Sequence, residues 1–279
     1  MEEDRAINTT DATPVRLAFR VSYLGNRFFG SQMQASSRTV EGEFVAACQR
    51  LDLFSDWRKA GFLSAGRTDR GVHACGQVIA FSTDTPERAV RALNFQLPPD
   101  IWITGYAEVG NQFHPRFDAR SRTYHYYFPV RVSDPLAMDR AARHFLGIHN
   151  FTNFARIQGK NPWRTILDVN VTDNGEFTCL EVTAESFLWH QVRCMASALF
   201  LIGEGKAHED SIAHLLAAET DSPLQPAPAE GLILWDTDCG FSWMPVQSAD
   251  RSTSYLDHLV HHHALMENVC RTLRDRPFD

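Results

Sequence analysis

The segment with the clearest chemical potential is a short polar stretch between two apolar ones. It contains Gly66, Arg67, Thr68, Asp69, Arg70, Gly71, Val72, His73 and Ala74. The glycines permit a tight backbone path, so the composition predicts a tight loop that presents charged side chains. Asp69 is its candidate nucleophile or acid–base group. Aspartates in such loops often bond to their own backbone, and spacing alone favours that local role.

Strand and helix patterns surround this loop in the first part of the chain. Apolar residues alternate along residues 15–23, and a three-to-four spacing typical of a helix follows Thr39, a candidate N-cap. The remaining elements are a short apolar stretch at 62–63, a strand at 77–82, a helix at 86–95 and a strand at 101–109. The order strand, helix, strand, strand, helix, strand is that of the ferredoxin-like split β-α-β unit.

The second part of the chain repeats this order. The pattern predicts a strand at 123–130, a helix from Asp134 and Pro135 to near Gly147, a hairpin of 164–172 with 177–187, helices at 189–201 and 211–218, and a strand at 232–235. We therefore expect an α+β fold of two similar halves, residues 15–120 and 121–240, which share a mainly antiparallel sheet with a central cleft. Residues 1–14 are expected to form a loose arm, and residues 241–279 a tail with a helix after Tyr255.

Bulk composition limits the function classes. The 279 residues are 44% hydrophobic and carry a formal net charge of −7, which is typical of a globular protein and unusual for one that binds nucleic acid through overall positive charge. Local basic clusters remain compatible with an acidic total. No apolar run is long enough to span a membrane, and the acidic start lacks signal-peptide features, so a cytoplasmic protein is expected. The scattered cysteines do not suggest a metal site or disulfide framework.

Five blocks of the sequence resemble one enzyme family in the same order. Residues 66–74 look like the active-site motif of the TruA family of tRNA pseudouridine synthases. The other similar blocks are residues 23–32, 93–101, 113–126 and 187–193. Together they cover most of the chain from about residue 15 to 236. The resemblance changes the expected role of Asp69 from a local turn to catalysis.

The resemblance implies three catalytic residues. Asp69 would attack the target uridine, Tyr124 would lie against the base and help to remove its C5 proton, and Arg193 would pair with Asp69. Tyr124 and Tyr126 fall on the same face of a predicted strand, so Tyr126 remains the alternative in register. Without the resemblance, Arg193 reads as a surface arginine in a helix.

Further residues are expected to bind the RNA. Arg67 and His73 are candidates to fill the space that a flipped uridine leaves, because the base must leave its stack before a side chain can reach it. Phe28, with Phe29, lies in a glycine-bounded loop and could stack on RNA, although a packed aromatic pair is the more ordinary interpretation. Arg116 and Arg122, together with Arg120, are candidates for phosphate contacts.

The resemblance also implies a tRNA partner, uridines of the anticodon stem-loop around positions 38 to 40, and a homodimer. No cofactor is expected, since the isomerisation changes no overall oxidation state and consumes no energy donor. One alternative is a non-catalytic RNA-binding protein on the same scaffold. Another is a hydrolase that pairs Asp69 with Asp118 or Glu185, but no motif places such a partner.

Overall fold

The computed structural model of the protein describes residues 13–217, 224–248 and 250–276. Within them, nine strands form one sheet: β1 (Val15–Tyr23), β2 (Leu63–Ser64), β3 (His73–Thr83), β4 (Ile101–Glu108), β5 (Ser121–Tyr127), β6 (Gly147–Asn150), β7 (Trp163–Asp173), β8 (Thr178–Ala184) and β9 (Leu232–Asp238). The helices are α1 (Val40–Arg50), α2 (Pro86–Gln96), α3 (Pro135–Ala142), α4 (Gln191–Gly203), α5 (Ser211–Ala217) and α6 (Asp250–Arg274). None of these described helices combines the length and apolar character that a membrane span requires.

The strand order confirms the two similar halves. The sheet runs β4-β1-β3-β9-β5-β8-β7-β6, with β2 also paired to β3. In the first half, β1 lies between β3 and β4; in the second half, β5 lies in the same way between β8 and β9. Each half therefore follows the ferredoxin-like order, and β6 and α5 are additions to the second half.

Each half builds its own core from the face of the sheet that its helices cover. In the first half Phe19 and Phe81 stack with ring centroids 5.4 Å apart, and Phe44 from α1 packs over both. Thr39 begins α1 as predicted, because its hydroxyl accepts a hydrogen bond from the Gly42 N–H at 3.2 Å. Burial of each such phenylalanine contributes roughly 1.5–3 kcal/mol relative to an exposed ring, so the core fixes the strands that carry the loops.

The halves meet where β3 and β9 run parallel, the exception in a sheet that is otherwise antiparallel along the described strands. A Cβ atom on Gly76 would lie 2.6 Å from the Trp235 carbonyl oxygen, so only glycine allows this close approach of the two backbones. Arg20 of β1 donates to Asp236 of β9 at 2.9 Å and ties the two halves together. The seam is therefore a packed junction.

Several element ends differ from the sequence-based expectations. β5 stops at Tyr127 rather than at residue 130, since Pro129 has no N–H to continue the ladder. The helix that begins at Pro135 ends at Ala142, and β6 occupies residues expected near its end. The tail helix α6 starts earlier, at Asp250. Most of the predicted N-terminal arm, residues 1–12, lies outside the described residues.

Candidate active site

The loop between β2 and β3 holds Asp69 in a defined position. The Val72 N–H donates to the Asp69 carbonyl at 3.2 Å, and Gly71 has φ +88°, so the turn needs a residue that tolerates positive φ. Thr68 anchors the other side: its N–H donates to the Ser31 hydroxyl at 2.8 Å, and its own hydroxyl lies 2.7 Å from that of the buried Tyr23. The backbone on both sides of the carboxylate is thus fixed.

Groups from the second half surround the Asp69 carboxylate. Arg193 Nη1 lies 3.0 Å from Oδ2, and Trp189 Nε1 donates to Oδ1 at 2.9 Å. His190 Nε2 lies 3.2 Å from Oδ2, and burial lowers the pKa of this imidazole, which favours the neutral ring. Both carboxylate oxygens therefore have donors from the opposite half, while the side chain stays 29% exposed to a cleft.

The start of α4 presents these donors. His190 precedes the helix with φ +66°, an unfavourable conformation for a residue with a Cβ atom. Arg193, in the first turn, uses two arms of its guanidinium group: Nη1 binds Asp69, and Nε donates to the Ala227 carbonyl at 2.7 Å. The second bond fixes the orientation of the first, a role that suits the rigid fork of arginine.

A cleft of about 750 Å³ opens above Asp69. Asp69 is the one acidic residue among the residues that line it, all of which are described, whereas the basic ones are Arg67, Arg70, Arg116, Arg122, Lys160 and Arg164. The protein is acidic overall, with a net charge of −7, yet this concave surface is basic. Such a distribution attracts a polyanion to the position of the carboxylate.

Tyr124 and Tyr126 occupy different environments although both face the helices. Tyr124 lines the cleft and packs edge-on against Phe187, with centroids 5.1 Å apart. Burial, opposed by Arg122, raises the pKa of Tyr124 to about 12, so its phenol is protonated at neutral pH. Tyr126 is buried in the second core and does not reach the cleft. The structure therefore places Tyr124, rather than its alternative in register, beside Asp69.

Comparison with known proteins assigns the chain to a family. A family model described as tRNA pseudouridine synthase matches residues 20–118 and 141–239, one segment in each half. The tRNA pseudouridine synthase A of Methanoculleus marisnigri is 52% identical over 255 residues, which cover 91% of this chain and 94% of that protein. The chain belongs to the tRNA pseudouridine synthase family. Similar proteins of the same name come from Methanosphaerula palustris, 52% identical over 87% of this chain and 86% of that one, and from Thermococcus sibiricus, 42% identical over 80% and 84%.

Pseudouridine synthases are isomerases, and the chain is an enzyme of that class. In this pseudouridine synthase, the predicted binding residues Arg67 and Arg116 both line the cleft and are exposed. Arg67 makes no side-chain hydrogen bond or ion pair to another described residue. Arg122 also reaches the cleft, but its Nη1 donates to the Glu185 carbonyl at 2.7 Å, and burial lowers its pKa. Arg122 therefore organises the wall of the synthase cleft.

Two predicted binding residues lie away from the synthase cleft. His73 accepts the Gly25 N–H on Nδ1 at 2.9 Å, and its Nε2 lies 3.1 Å from the Glu230 carbonyl, so the ring bridges the two halves. Phe28 is 1% exposed in the first core, under the Arg38 guanidinium group. Its neighbour Phe29 is 49% exposed, lines the cleft and lies under Arg70.

Other site residues were not singled out from the sequence of this synthase. Trp189 and His190 belong to the block 187–193, but no pattern in that block indicates that their side chains contact Asp69. Lys160 and Arg164 come from the β6–β7 connection and the start of β7, where no motif marked them. Phe117, 75% exposed, lies in the block 113–126, but nothing in that block indicates an exposed ring in the cleft.

Proposed function

We propose that this enzyme isomerises uridine to pseudouridine in tRNA, within the anticodon stem-loop around positions 38 to 40, with Asp69 as the nucleophile. One observation carries the proposal. The partly exposed Asp69 carboxylate, which is held by hydrogen-bond donors from the other half, is the one acidic group among the described residues that line a basic cleft. A basic cleft suits a polyanionic substrate, and a fixed carboxylate suits covalent catalysis.

The reaction breaks the N1–C1′ bond of uridine and forms a C5–C1′ bond. Attack by the Asp69 carboxylate, at C6 of the base or C1′ of the sugar, divides this exchange into two easier steps. The C5 proton leaves once the new bond has formed, N1 gains a proton, and the carboxylate is released. The balanced reaction needs no redox partner or energy donor.

The neighbours of Asp69 support this role. Arg193 and Trp189 hold the two carboxylate oxygens, and so they fix the direction of attack. Tyr124 offers a ring edge and a neutral phenol to the base. Its raised pKa disfavours a phenolate that stands ready to accept the C5 proton, so we propose that the neutral phenol O–H of Tyr124 donates a hydrogen bond that orients the base while the ring packs against it.

RNA binding is proposed for the rim of the cleft. Arg67 has a free guanidinium group next to Asp69 and could take the place of the flipped uridine. Phe29 and Phe117 present exposed rings on which unstacked bases can lie, and Arg116 and Lys160 supply positive charge at the cleft for phosphate contacts. In view of its burial, Phe28 is not part of this surface.

Two further proposals rest on the family resemblance, namely a homodimer and a cytoplasmic location. The dimer is testable by light scattering of the purified chain, for which we expect twice the mass of 31.6 kDa.

The direct test is tritium release from a tRNA transcript that carries [5-³H]uridine. We expect the wild-type enzyme to release tritium, and we expect the amount released to fall with each uridine at positions 38 to 40 that is replaced by cytidine. A matched transcript, in which the same number of uridines in another stem is replaced by cytidine, should release as much tritium from positions 38 to 40 as the unchanged transcript. Release that is independent of positions 38 to 40 would overturn the proposed target, whereas tRNA binding without any release would favour a non-catalytic RNA-binding protein.

Tyr124→Phe is expected to lower kcat by about 10- to 100-fold, because the ring stays against Phe187 while the phenol O–H is lost. Tyr126→Phe is the matched control: its hydroxyl is buried without a hydrogen-bond partner among the described residues, so its removal should leave kcat and thermal stability nearly unchanged. Single-turnover tritium release measures the rate of each variant, and thermal unfolding measures its stability. Equal rates for wild type and Tyr124→Phe would remove the phenol from the mechanism.

A further inference from the structure

A second cluster of reactive side chains lies on the other face of the sheet. Strand alternation points Tyr124 toward the cleft and the next residue, His125, to the opposite side. There, β8 contributes Cys179 and Glu181, which share a face because they are two residues apart. Glu181 is the direct cross-strand partner of His125, and Cys179 lies diagonally across from it. One ligand atom from each of the three residues lies within 4.8 Å of the other two.

The imidazole of His125 has a nitrogen that lacks a partner. Its Nδ1 is buried and makes no hydrogen bond to any described residue, and no ion pair joins His125 to Glu181. Trp235 covers the ring in a parallel stack, with centroids 4.2 Å apart and planes 8° from parallel. Because a buried nitrogen without a hydrogen-bond partner destabilises a fold, such a group needs an explanation.

We propose that His125, Cys179 and Glu181 form a binding site for a divalent transition-metal ion, best suited to zinc. An imidazole nitrogen, a thiolate and a carboxylate oxygen are the three kinds of ligand that zinc takes from proteins, and three protein ligands leave a fourth position for water. The thiolate and the carboxylate together neutralise the charge of the ion. On binding, Cys179 transfers its thiol proton to solvent and forms a metal–sulfur bond, with no change in oxidation state.

The spacing of the ligand atoms fits this assignment. Atoms within 4.8 Å of one another surround a point at most about 2.8 Å from each, and zinc bonds of roughly 2.0–2.3 Å require each side chain to move by about half an ångström. The strand ladder between β5 and β8 sets the separation of the three residues. The ion would therefore hold β5, the strand that carries Tyr124, against β8 without contact with the substrate.

Cobalt(II) titration of the full chain is the sharpest test, since cobalt occupies zinc sites and reports its ligands. One equivalent should give the visible bands of tetrahedral cobalt and the near-ultraviolet band of a cobalt–thiolate bond, and one equivalent of zinc should abolish both. Cys179→Ser should remove the thiolate band. His125→Gln should weaken binding by at least about tenfold. Circular dichroism verifies that both variants are folded.

Matched controls address the other possible ligands. Cys270→Ser changes an exposed cysteine on α6, and a joint His258→Asn and His262→Asn variant removes two stacked imidazoles of the same helix. Both should keep the full thiolate band. The proposal is overturned if wild type shows no thiolate band at one equivalent, or if Cys270→Ser removes it and Cys179→Ser does not.

Discussion

Asp69→Asn is expected to abolish tritium release, with a fall in the single-turnover rate on the order of 10⁴-fold or more. The amide has nearly the shape of the carboxylate but is a far weaker nucleophile. Since Arg193 and Trp189 donate to different oxygens, the new NH₂ group faces a donor in either orientation. We therefore expect a small loss of stability beside the complete loss of chemistry.

The binding of tRNA should survive this change, because Asp69 is the sole negative charge among the residues that line the cleft and its removal makes that surface more basic. Filter binding at fixed salt measures this, with Asp118→Asn as the matched carboxylate control, since Asp118 accepts the His114 N–H outside the site. A release rate in Asp69→Asn within tenfold of wild type would reject the nucleophile assignment. Loss in Asp118→Asn instead would revive a two-carboxylate mechanism.

Arg193→Ala is expected to lower kcat by about 10²- to 10³-fold with little change in tRNA affinity. The guanidinium group lies beneath the cleft, only 14% exposed, and its two bonds go to Asp69 and the Ala227 carbonyl. Its loss frees the Asp69 carboxylate to rotate and leaves the carbonyl without its donor. Both effects would misplace the proposed nucleophile without removing a contact to RNA.

Arg193→Lys separates charge from geometry. A lysine keeps the positive charge but cannot donate to Asp69 and Ala227 in fixed directions, so we expect it to recover only a small part of the rate. Single-turnover kinetics at saturating enzyme give the rate constant of the chemical step, and filter binding gives the affinity. If Arg193→Ala weakened tRNA binding and left the saturated rate unchanged, the residue would be an RNA contact rather than a positioning residue.

Local signals in the sequence predicted much of the fold. Alternation along β1, the Thr39 cap and Pro86 at the start of α2 act within a few residues, and so these elements were correctly placed. β6 was not predicted, because four residues paired to a distant strand carry little periodicity of their own. The parallel pairing of β3 and β9 also depends on partners about 160 residues apart, which no local pattern encodes.

The candidate site shows the same division. Asp69, Tyr124 and Arg193 stand in contiguous motifs, and the structure brings them together. Trp189 was missed because its role depends on the position of α4 relative to a loop 120 residues earlier. The burial of Phe28 and the exposure of Phe29 could not be told apart, since both rings lie in one irregular segment where periodicity gives no inside or outside.

At the seam, each core contains a side chain from the other half of the protein, and substitutions at these positions affect both halves. Val72, three residues after Asp69, packs into the core of the second half, while Leu234 of β9 packs into the core of the first. Each half thus contributes one side chain to the core of the other, and this packing helps to hold Asp69 in line with Arg193. Loss of a methyl group at either position is expected to disturb the alignment of Asp69 with Arg193. In this enzyme, packing between the two halves therefore contributes to the position of the carboxylate that we propose as the nucleophile.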